Sequence, residues 1–101
     1  MKTYEWDAAD YLETPEDVAL FISAALEDGD PVVIKHAIGT AARSKGMAVI
    51  AAEANLNRTS LYRAFEEDGN PLFFNVLKVL ASMGLVLQVV PKDTLKQEAS
   101  A

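Results

Sequence analysis

The sequence contains no cysteine and a single histidine, His36. The first absence excludes a disulfide framework and thiolate metal sites. The second leaves any histidine-based zinc site or Ser-His-Asp machinery resting on one residue. No glycine-rich phosphate loop is present. There is no long uninterrupted apolar run and no basic-then-apolar N-terminal leader. Neither a membrane span nor a secretory signal is therefore expected, and the expected setting is cytoplasmic. Carboxylates are plentiful between residues 5 and 30, but no pair is flanked by a nucleophile or a metal-binding histidine. Their spacing suits helix capping and solubility, so neither an enzyme nor a cofactor or metal site is expected.

Basic residues are scarce in the first third and concentrated in the second. The formal charge is −6 over 101 residues. Residues 1–30 set Lys2 against nine acids, whereas residues 31–65 set five bases (Lys35, Arg43, Lys45, Arg58, Arg63) against Glu53. Phosphate contacts are screened within about 8–10 Å at physiological salt, so the local excess bears on nucleic acid more than the global charge does. Half of the chain is hydrophobic, which suffices for the core of one domain. Its expected parts are an acidic N-terminal segment (1–13), a main domain (14–91) and a polar tail (92–101).

The spacing predicts about five helices. Thr14-Pro15-Glu16-Asp17 offers an N-cap hydroxyl, proline at the first helical position and acids in the first turn. Val18, Phe21, Ile22, Ala25 and Leu26 then form one apolar face, and Gly29 stops the helix. Asp30-Pro31 starts the second, with Ile34, Ala37, Ile38, Ala41 and Ala42 inward, and Gly46 ends it. Met47, Ile50, Ala51 and Ala54 line a short third helix. Asn55 takes the turn in the left-handed conformation, Leu56 plugs the corner, and Asn57 caps a fourth helix with Leu61, Ala64 and Phe65 inside. "EEDGNP" is a loop, and a strongly apolar fifth helix runs from about Leu72 to Met83, stopped by Gly84. "LVLQVV", residues 85–90, reads as a short C-terminal β-strand closed by Pro91. A lone strand needs a partner, either "TYEW" near the N-terminus or a second subunit meeting Val86 and Val89.

The corner around Asn55 carries the functional reading. A small residue (Ala51) four positions before the turn, and leucines in the seam, make the helix-turn-helix pattern, in which the second helix enters the DNA major groove. Its exposed positions would be Arg58, Thr59, Ser60, Tyr62 and Arg63. Arginine pairs bidentately with guanine, and hydroxyls reach bases or phosphates. Arg43 and Lys45 would flank the DNA backbone. The same pattern also fits an ordinary helical corner with a solvated polar face.

The stretch from Ala42 to Pro91, and above all "LNRTSLYRAF", "DGNP" and "LKVLASMGL", resembles the HigA-like addiction-module antidote proteins, a branch of the lambda-repressor-like (Xre-type) helix-turn-helix group. "YLETPEDVALFISAALEDGDP" is similar to that family's N-terminal segment, so the resemblance spans roughly residues 7–91. The family usually has glycine at position 55 and serine at position 57; asparagine performs the same local task at both. The resemblance implies a mainly α, lambda-repressor-like bundle and a type II antitoxin. Such a protein silences a small basic toxin of the HigB/RelE-like kind encoded beside it. It also represses its own operon by binding double-stranded DNA at the operator, usually as a homodimer.

The acidic first third suits either a solvated face or a surface for a basic partner, with Trp6, Tyr11 and Phe21 as candidate anchors. The competing expectation is a helical protein-interaction module, or a stand-alone transcriptional regulator without a toxin partner.

Overall fold

The computed structural model describes residues 11–93; Trp6 and the "TYEW" segment lie outside them. Five helices follow in order: α1 (Pro15–Asp28), α2 (Pro31–Lys45), α3 (Met47–Ala54), α4 (Arg58–Ala64) and α5 (Phe73–Ser82). Packing joins α1 to α2, α2 to α3, and α3 to both α4 and α5. Among the described residues no helix is long and apolar enough to cross a membrane.

Local chemistry sets the helix ends. Thr14 Oγ1 accepts from the Asp17 amide at 3.0 Å, and the Asp17 carboxylate accepts in return from the Thr14 and Glu13 amides, both at 3.1 Å. This reciprocal capping box satisfies donors that the first turn of a helix leaves open. Gly29 ends α1 at φ 83°, a left-handed conformation that glycine adopts without a Cβ clash. Asp30 caps α2 through the Val32 amide.

The cap has a pH consequence. The Glu13 amide, and after it the Thr14 amide, hold the Asp17 carboxyl below its ordinary value. A group whose folded pKa is depressed stabilises the fold above its unfolded pKa and loses that contribution as pH falls through the folded pKa. An Asp17→Asn variant is therefore expected to melt below the wild type at neutral pH. The gap should close as pH drops below the ordinary carboxylate range. Parallel melts across pH check this; a gap that stays constant with pH would exclude the charged cap as its source.

The core gathers Val18 and Ile22 from α1, Ile38, Ala41 and Ala42 from α2, Met47, Ile50 and Ala51 from α3, Leu61 from α4, and Val79, Leu80 and Met83 around α5. The inner stripes expected for α2 and α3 are thus in place, with Ile34 half-buried at the edge. Alanines at 41, 42 and 51 let the helices approach closely around Ile50. Leu26, expected on the inner face of α1, is instead 42% exposed.

The expected C-terminal strand is absent. Leu85 N bonds back to Leu80 O at the end of α5, and residues 85–90 form no ladder. The reason is physical: a strand exists only through pairing, and the described residues contain no second one. Residues 85–90 are β-rich in composition but irregular in structure.

Candidate nucleic-acid interface

α3 and α4 meet at a three-residue corner, Asn55-Leu56-Asn57. Asn55 sits at φ 57° and ψ 49°, the only non-glycine residue with positive φ among the described residues. Its position lets the chain reverse, and the Leu56 amide then bonds to Ala51 O at 2.8 Å. Leu56 packs against the core from the corner. Asn57 Oδ1 accepts from the Ser60 amide at 2.9 Å, which fixes the start of α4.

With Leu61 buried, the opposite face of α4 is turned outward. Arg58, Thr59, Ser60, Tyr62 and Arg63 are all exposed. Positions 58 and 62 are one helical turn apart, as are 59 and 63, so they form two neighbouring rows. The Arg58 guanidinium lies over the Tyr62 ring, 5.7 Å from its centroid. The contact orients both side chains while leaving Arg58's in-plane donors available. Among the described residues no carboxylate is paired with either arginine of α4.

The two expected flanking bases behave differently from those on α4. Arg43 is exposed and donates to Thr40 Oγ1 at 3.3 Å. Lys45 pairs with Glu53 Oε1 at 3.1 Å and also donates to the Ser82 carbonyl. It ties the end of α2 to α3 and to the end of α5, so a phosphate would have to compete for it. His36 is exposed, as its place in α2 suggests.

The candidate anchors also separate. Tyr11 is exposed, whereas Phe21 is half-buried and packs against the core. Trp6 lies outside the described residues.

The family model described as "Probable addiction module antidote protein" matches residues 2–91. The chain belongs to this family. An "Uncharacterized protein" of Haemophilus influenzae (strain ATCC 51907 / DSM 11121 / KW20 / Rd) is 34% identical over 85 residues, which cover 84% of this chain and 88% of the relative. No solved structure matches.

This antidote-family chain also shows a surface that its sequence did not single out. Leu72, Phe73 and Phe74 are exposed at the start of α5, the two rings edge-to-face at 5.6 Å. Phe74 is 74% exposed. Beside them runs a groove of about 460 Å³, lined by Leu26, Val32, Ile34, Phe73, Val76 and Leu87 among others. A second hollow of about 360 Å³ shares Ile22, Leu26, Leu80 and Leu87 with it and continues to Val86 and Val90. The signal was the run "LFF" at 72–74: α5 is apolar outside the stripe of Asn75, Lys78 and Ser82, yet only Val79 and Leu80 of it are buried.

Proposed function

We propose that this chain is a non-enzymatic antitoxin that acts as a homodimer. It silences a toxin protein of the HigB/RelE-like kind encoded beside it and represses its own operon by binding double-stranded DNA at the operator. Membership in the antidote family supports a toxin partner. The observation that carries the DNA reading is α4. It is a two-turn helix with Leu61 buried, Asn57 capping it and five arginine or hydroxyl-bearing side chains facing outward. A helix presented in this way after a tight corner suits the major groove.

The apolar surface supports the dimer. Val86, 86% exposed, lines the hollow with Leu87 and Val90, and Val89 in the same segment is 92% exposed. Large contiguous apolar patches on small proteins mark interaction sites. Val86→Asp and Val89→Asp are expected to convert a dimer to monomers, each by burying a charge at the interface. Multi-angle light scattering reads the result. A dimer that survives both substitutions places the interface elsewhere.

The direct test is fluorescence anisotropy with the DNA upstream of the gene's own operon and a scrambled duplex, at two salt concentrations. Tight binding to the native duplex alone, weakening with salt, is the expected result. Equal and negligible binding to both would make the chain an interaction module whose corner serves as scaffold.

A further inference from the structure

Lys35 stands in the second turn of α2, and its ammonium is fully engaged within the fold. It donates to the carbonyl oxygens of Glu66 at 2.9 Å, Glu67 at 2.8 Å and Gly69 at 2.8 Å. An ammonium has three donors and no acceptor, so these contacts saturate it. All three carbonyls belong to the turn that follows α4, whose C-cap is Phe65.

Two further contacts close on the same place. Gly39 lies one helical turn beyond Lys35, on the same face of α2. A Cβ there would stand 3.3 Å from Phe65 Cβ, so α2 crosses the end of α4 closely at this point. Gly69 is folded back so tightly that a Cβ would overlap the carbonyl oxygens of Arg63 and Ala64. The C-terminal end of α4 is thus held by a cation, by the bare face of α2 and by its own returning turn. The cation also sits favourably at the negative end of the helix dipole.

A helix of seven residues does not persist by itself. Its orientation comes from its two ends and from Leu61. We propose that Lys35 is a positioning residue for DNA recognition: it fixes the C-terminal end of α4, and with it the direction of Tyr62 and Arg63, without touching DNA. This rests on the reading of α4 as the DNA-contacting helix. Lys35 is one of the five bases of the positive segment, yet its charge serves the scaffold and not the phosphates.

The experiment pairs amide hydrogen exchange with operator anisotropy on the full chain, for Lys35→Met and Lys35→Arg. Methionine keeps most of the apolar stem and removes the donors; arginine keeps charge and donors. In Lys35→Met, protection across α4 and residues 65–69 is expected to fall about tenfold, the effect of losing charge-assisted hydrogen bonds. Val79 and Leu80 should keep wild-type protection. Operator affinity should fall by a similar, about tenfold, factor, with the dependence on salt unchanged; loss of a phosphate contact would lower that slope by about one. Lys35→Arg should restore much of both.

Wild-type exchange around α4 in Lys35→Met overturns the proposal. So does a reduced salt slope, which would make Lys35 a phosphate contact, and so does an equal loss at Val79 and Leu80, which would make its role global stability. If the unmutated chain binds no operator, the DNA role falls with the reading beneath it. Exchange loosened only around α4 would then mark that reading, and not the clamp, as the failure.

Discussion

Arg58→Ala and Arg63→Ala are each expected to remove about 1–3 kcal/mol of specific operator binding, roughly 5- to 150-fold in affinity. Both side chains are exposed on α4, Arg63 on the face opposite the buried Leu61 and Arg58 at the first position of the helix. Alanine is as good a helix former as arginine, so the fold should survive and the loss should belong to the interface. Arg58 carries an additional consequence. Its guanidinium lies over the Tyr62 ring, so its removal also frees a second contact residue. The effect of an Arg58→Ala, Tyr62→Ala pair should therefore fall short of the sum of the two singles. The form of the loss separates two kinds of contact. A base contact relaxes discrimination at one operator position, whereas a phosphate contact weakens all sequences and lowers the salt slope by about one. Wild-type affinity in both single variants would remove α4 as the reading element.

Ile50→Ala is expected to cost about 2–5 kcal/mol of folding stability, against a total of about 5–15 kcal/mol for a small domain. Ile50 is 0% exposed in the middle of α3 and belongs to the cluster that joins α1, α2, α4 and α5. Truncation removes buried methyl groups and leaves a cavity that rigid helices close only in part. Ile50→Val should cost less, about 0.5–1.5 kcal/mol. Urea denaturation reads both: the midpoint should fall in that order with the m-value unchanged. A loss below 1 kcal/mol for Ile50→Ala would mean that the site collapses around the gap. At the upper end of the range the consequence is functional as well, because α4 is held against α3.

Apolar positions that look equivalent in the sequence part company in the structure. Leu26 continues the stripe of Val18 and Ile22 by the same spacing, but those two are buried in the core and Leu26 is left lining a groove. Lys45 and Arg58 look equally basic. Lys45 meets Glu53 and the end of α5, whereas the Arg58 guanidinium, among the described residues, meets only the Tyr62 ring one turn along its own helix. Lys35, unremarkable in the sequence, reaches carbonyls more than thirty residues away.

The start and stop of the first four helices, the left-handed corner at Asn55 and the outward row from Arg58 to Arg63 were legible because each depends on residues within about one helical turn. Caps, prolines and left-handed turns are local chemistry, and the "LNRTSLYRAF" segment is local text. Membership in the addiction-module antidote family was legible for the same reason. The strand expected at 85–90 was not decided locally, since strands need a partner that no composition supplies. The bare apolar surface around Phe73, Phe74 and Val86, and the attachment of Lys35 behind α4, depend on which helix crosses which and where each one ends. Those are distances between segments far apart in the chain, and only the folded packing of α1, α2 and α5 sets them.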